Sequence, residues 1–154
     1  MTELFEYVET FRHRKSQVKD LLLSRAHAHS VIKYSEMYGL FEPDRTACSG
    51  DSIWKGCIWN TVEEVSGELS SGDGAIYFSM LSNKDGVPQD VFWMSFLRRR
   101  RNAYEHSTQL LLPQTEGELT LSQKVAIARF ERELVYRHAR KYYMKFGQQW
   151  ERMC

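Results

Sequence analysis

The chain has 154 residues, 42% hydrophobic and 27% charged, with a net charge of +1. That is the size and balance of one ordinary globular domain, not of a disordered chain. No apolar run approaches bilayer length, and the acidic start MTELFEYVETF lacks the basic-then-apolar order of a signal peptide. Three cysteines without a CxxC pair argue against a disulfide framework and a zinc knuckle, so a cytoplasmic protein without cofactor or metal is expected.

The net charge hides a segregation. Residues 31–97 carry ten acidic and four basic side chains, a balance of −6. Residues 120–154 carry eight basic and three acidic ones, a balance of +5. Fields act locally, so an acidic centre beside a basic end matters more than the total.

In chain order, residues 3–27 read as a helix. Leu4, Val8, Phe11, Val18 and Leu22 recur at helical steps, with Lys15 interrupting the stripe. HSVIKY turns extended, and Ser35 is a candidate N-cap for a short helix through Leu40. Residues 41–50 are loop. Asp51 or Ser52 opens a helix with Ile53, Cys57, Ile58, Val62, Val65 and Leu69 on its inner face. Ala75 to Leu81 is the best strand candidate, covered on both sides because so few of its residues are polar. The NKDG turn follows, Val87 opens a short second strand, and a helix runs from Gln89 to Ser107. After a loop, Thr120 starts a last helix that can continue to Phe146.

On that last helix Ile127, Phe130, Leu134, His138 and Tyr142 share one face, expected to be core. Arg129, Arg132, Tyr136, Arg140 and Tyr143 share the other. Arginine interleaved with tyrosine suits stacking and phosphate contact, and equally suits a solvated basic face. Arg98, Arg99, Arg100 and Arg101 cannot form one stripe, because four consecutive helical residues cover roughly 300°. Some must meet partners inside the protein or flank a helix end, where the dipole favours cations.

Three resemblances follow from these motifs. Ile32-x-Tyr34-x-Glu36-Met37, then Phe78-Ser79-Met80-Leu81-Ser82-Asn83-Lys84-x-Gly86-x-Pro88, then Phe92-Trp93, and finally Phe130 to Tyr136 resemble one group. It comprises uncharacterised bacterial and phage proteins with YGEL, LSALVVNK-x-G-x-PG-x-GFF and EL-x-x-VY elements. The resemblance covers residues 31–143, with Gln89 where that group has glycine and an insertion around residues 98–119. The element order also looks like a winged helix, in which the second helix often reads DNA. Here that helix would carry Lys55 against Glu63, Glu64 and Glu68, which suits protein better than phosphate. Arg101-Asn102-x-x-x-His106 resembles the R-N-x-x-x-H signature of HEPN ribonucleases, implying a phosphate-holding arginine and a proton-handling histidine. In a run of arginines, that spacing to a histidine arises almost automatically.

The resulting expectation is a single domain, residues 1–154, of mostly helical α+β class. It has an N-terminal helix (1–30), a winged-helix-like centre with a short β-hairpin (31–107) and a C-terminal helix (120–146). The leading function is a non-catalytic binding protein, a regulator or inhibitor of phage or mobile-element type. It would act through a protein partner on nucleic-acid-handling machinery. The alternatives are direct nucleic-acid binding through the basic residues, and a ribonuclease using Arg101, Asn102 and His106.

Overall fold

The computed structural model describes residues 11–70 and 74–143. Helix α1 (Lys15–Ala28) is followed by strand β1 (Ile32–Lys33), helix α2 (Tyr34–Leu40) and a 3-10 turn at Glu42–Ala47. Then come α3 (Asp51–Ser70), a 3-10 turn at Tyr77–Met80, β2 (Leu81–Ser82), α4 (Asp90–Arg99) and α5 (Arg101–Thr108). A short 3-10 turn at Glu116–Glu118 leads to α6 (Leu121–Tyr142). The class is α+β and mostly helical, with a two-stranded sheet among the described residues. Among the described residues no helix is long and apolar enough to cross a membrane.

Local chemistry accounts for the helix boundaries. Thr120 Oγ1 accepts from the Gln123 amide at 3.1 Å, and Gln123 Oε1 accepts from the Thr120 amide at 2.8 Å. This reciprocal cap fixes where α6 begins. The α1 stripe buries Val18, Leu22 and Ala26, and Phe11 stacks on Phe41 at 5.3 Å. The part of the expected first helix before residue 11 lies outside the described residues, as does the end of the last one beyond residue 143. Lys33, not Ser35, is the cap position of α2, and its amide is taken by Glu36 Oε2 at 2.9 Å. On α3 the inward residues include Trp54, Ile58, Val62, Val65 and Leu69, while Ile53 is exposed. The face is rotated because the Trp54 indole, donating to the Phe41 carbonyl at 3.0 Å, takes the place expected for Ile53.

The largest departure concerns residues 75–81. All of them are buried, as their composition predicts. The backbone is nevertheless a 3-10 turn, and only Leu81 and Ser82 form strand. They pair in parallel with Ile32 and Lys33. The expected hairpin partner Val87 instead closes the NKDG turn, its carbonyl accepting from the Asn83 amide at 3.0 Å. Gly86 there has φ of +83°, which glycine adopts without penalty. Buried backbone groups without a sheet ladder must bond elsewhere. Here side chains do it. The Ile76 amide donates to Glu131 Oε2 at 3.0 Å, and the Phe78 amide to Ser66 Oγ at 2.9 Å. Arg132 donates to the carbonyls of Ser79, Leu81 and Gly86 at 2.6, 3.0 and 3.2 Å.

Candidate functional site

The arginine run separates at a helix break. Helix α4 stops at Arg99, and Arg100 has φ of −121° and ψ of −6° before α5 begins. Arg99 and Arg100 share one acceptor, while Arg98 and Arg101 go elsewhere. Arg100 turns inward and meets Glu131 with Nε to Oε1 at 2.9 Å and Nη2 to Oε2 at 3.2 Å, and it also donates to the Gly74 carbonyl at 3.0 Å. Glu131 is fully buried. The counter-charge therefore comes from α6 and not from the acidic centre. Arg101 ties down the following loop through the carbonyls of Leu112 and Gln114 at 3.1 and 3.2 Å. Arg99 reaches the Gly74 carbonyl at 3.3 Å. Arg98 is exposed and has no ion pair among the described residues.

The arginine–tyrosine face of α6 also turns largely inward. Arg132 grips the 79–86 backbone as above, and its desolvation pushes the guanidinium pKa down. Tyr136 is buried and stacks on His29 at 4.4 Å. The Tyr143 hydroxyl donates to the Leu69 carbonyl at 2.8 Å. Only Arg129 and Arg140 of that set are exposed. The expected core face is correspondingly rotated: Ile127, Glu131, Val135 and Ala139 are buried, while Tyr142 is 59% exposed. The physical reason is the irregular 74–86 segment, whose amides and carbonyls need charged partners on the helix face that covers it.

The RNAYEH residues are not assembled into a site. Arg101 is held by loop carbonyls, whereas Asn102 and His106 are exposed. Five helical steps place Arg101 and His106 about 140° apart around α5. Among the described residues no group of three His, Cys, Asp or Glu side chains could hold a metal. Cys48 and Cys57 are free thiols whose pKa burial pushes up, the wrong direction for a nucleophile.

Two grooves of the described surface lie between helices. The first, of 380 Å³, lies between α3 and α4 with Ile76 and Phe78 as its floor. One wall is Glu63, Ser66, Gly67 and Ser70, and the other is Val91, Met94, Ser95 and Arg98, with Arg99 beside it. The second, of 500 Å³, lies between α5 and α6 over Tyr104, Leu110, Ala126, Phe130 and Leu134. Its rim carries Arg129, Glu133 and Arg137. Neither groove was legible in the sequence, because each joins helices whose mutual placement no local pattern encodes. Glu131 was missed too, although its spacing of four from both Ile127 and Val135 marks it as inward-facing.

His138 ends a polar chain behind the first groove. Its Nδ1 lies 2.8 Å from the Tyr77 hydroxyl. This contact fits the neutral ring, with Nδ1 accepting from the Tyr77 hydroxyl. Burial, followed by the charge of Lys141, pushes the histidine pKa below its usual value. In the unfolded chain the ring takes its proton first, near pH 6.5. Stability should therefore fall as pH drops from about 6.5 through the depressed folded value, and level off below it. Thermal melts of the parent and His138→Gln across this window check the expectation. An equal pH slope in both proteins would remove His138 as the cause.

No protein-family model, curated protein or solved structure matches the chain.

Proposed function

We propose that the chain is a non-catalytic binding protein. It is a cytoplasmic regulator or inhibitor of the kind encoded by phages and mobile elements, acting through protein contacts on nucleic-acid-handling (defence) machinery. The observation that carries the protein-contact reading is the inward use of the basic residues. Arg100, Arg101 and Arg132 bond to Glu131 and to backbone carbonyls, which takes these three guanidiniums away from contact with a phosphate backbone. The exposed apolar side chains Val91 and Met94 line a groove, the kind of surface protein partners cover. The winged-helix-like description of residues 31–107 belongs to this reading, with α2 and α3 as the helix pair and the 83–87 turn as the wing. The outer face of α3 presents Glu63, Glu64 and Glu68, with Lys15 bridging the last two, which also favours a protein over phosphate. The phage and defence assignment rests on the sequence resemblance alone.

Direct nucleic-acid binding is the second reading, favoured by the exposure of Arg129 and Arg140. A ribonuclease would need Arg101 released from its loop. Purifying the tagged protein from its own host, and identifying co-purifying protein and nucleic acid together, separates the first two. A stoichiometric protein partner is the expected result. Arg129→Gln/Arg140→Gln should leave RNA and single-stranded DNA binding nil before and after. Binding by the parent whose salt slope falls by roughly 0.7 per lost contact in the variant would favour the second reading.

A further inference from the structure

We propose that the α5–α6 groove and the Leu110–Leu111 segment beside it form a self-association surface, on which a second copy of this chain docks about a two-fold axis. Leu111 of each copy enters the groove of the other, and Arg129 of each meets Glu133 of the other. This goes beyond the binding reading and uses a different face from the one that exposes Val91 and Met94.

Leu111 is 86% exposed, the highest value among the large apolar side chains described, and Leu110 is exposed beside it. The fold holds this segment from both sides. Before it, Gln109 caps α5 in the left-handed region, with φ of +61° and ψ of +24°, and its amide donates to the Glu105 carbonyl at 2.8 Å. A residue with a Cβ takes that conformation at a cost. After it, Leu112 is buried, its amide donating to Glu105 Oε2 at 2.6 Å and its carbonyl accepting from Arg101 Nη1 at 3.1 Å. Arg101 and Glu105, one turn apart on α5, therefore brace two consecutive leucines that face solvent. The RNAYEH run, which assembles no catalytic site, has this use instead. Apolar side chains already fixed in place lose little freedom when a surface covers them, so more of their burial appears as affinity.

The groove adjoins the projection. Leu110 itself lines it, and its floor is Tyr104, held edge-on by Phe130 at 5.1 Å and by Phe96 at 5.7 Å. A two-fold interface brings the same patch of each copy together, so projection and recess must lie side by side on one face. They do here, whereas a groove for a different protein needs no projection of its own. The rim charges fit the same symmetry. Arg129, Glu133 and Arg137 follow one another a turn apart on α6, all exposed, and none has an ion pair among the described residues. In an antiparallel α6–α6 pairing with the axis midway between positions 129 and 133, each Arg129 faces the other copy's Glu133. Arg137 then lies against Val125, which is exposed and can pack on the arginine stem. An axis one turn further along, between 133 and 137, sets Arg129 against Lys141, a like-charge contact. The row is therefore complementary to itself in one register and repelled in the next.

Sedimentation equilibrium of the full chain, over a concentration series through the micromolar range, is the test. A face of one helix, one groove and two leucines is at the small end of specific interfaces, so a dimer with a micromolar dissociation constant is expected. Leu111→Gln should weaken it by about a hundredfold, since each dimer loses two buried leucines at roughly tenfold each. The side chain is exposed in the single copy, so the melting temperature of the dilute, monomeric chain should not change. Arg129→Glu and Glu133→Arg should each be monomeric where the parent is dimeric, because each sets like charges together twice. Mixed in equal amounts, these two variants should form a heterodimer, since both contacts then join opposite charges. The chain carrying both exchanges should form a homodimer again. A helix merely damaged by substitution would not be rescued by mixing. A parent that stays monomeric throughout the series overturns the proposal, as does a dimer indifferent to Leu111→Gln, or charge variants that fail to associate on mixing. A monomeric parent that retains a host protein which Leu111→Gln releases would make that protein the occupant of this face in place of the second copy.

Discussion

Arg100→Met should lower the unfolding free energy by about 3–5 kcal/mol, the range for removing one partner of a buried ion pair. The Glu131 carboxylate would remain fully buried, with the Ile76 amide, 3.0 Å from Oε2, as its remaining donor among the described residues. The Gly74 carbonyl would lose its bond to Arg100 as well. Glu131→Leu should cost less. It orphans one buried amide, worth about 1–3 kcal/mol, while Arg100, 18% exposed at its side chain, can turn toward water. The double variant should be less destabilised than the sum of the two, because neither charge is then stranded. Arg98→Met, on an exposed side chain, should stay within about 0.5 kcal/mol of the parent. Urea unfolding of the four variants gives the comparison. Equal effects of Arg98→Met and Arg100→Met would show that the run acts as undifferentiated surface charge.

That contrast marks where sequence reasoning stops. The divergence of the arginines follows from helical geometry alone, since four successive residues cannot share a face. Which arginine turns inward does not, because it depends on Glu131, which is distant in sequence. The start of α6 at Thr120 was readable because a cap is a local bond between residues three apart. The phase of α6 was harder. Arg132 and Tyr136 look like surface residues, and a polarity rule puts them outside. They are inside because residues 74–86 have a ladder of only two residues and draw donors from the helix above them. The burial of residues 75–81 was legible from composition. Their 3-10 backbone was not, because a strand is defined by partners, and β1 offers only two residues of pairing. The grooves depend on the placement of separate helices and are invisible before the fold is known.

Trp93→Ala should be the most costly of the apolar truncations, at about 4–5 kcal/mol, the upper end for a large buried aromatic. Trp93 is 1% exposed, its indole donates to the Pro88 carbonyl at 2.9 Å, and Phe92 meets it edge-on at 4.8 Å. Its removal leaves an apolar void and an unpaired carbonyl together. Phe78→Ala should cost less, about 3 kcal/mol, although the side chain is only 4% exposed. Phe78 floors the α3–α4 groove, so its removal deepens an existing opening that water can enter, and the penalty for an enclosed cavity is partly relieved. A two-sided buried strand would give the reverse expectation, with Phe78 sealed and as costly as Trp93. Denaturant unfolding of the two variants decides between these pictures. A larger loss for Phe78→Ala than for Trp93→Ala would mean that the segment is closed over and that the groove above it is not open to a partner.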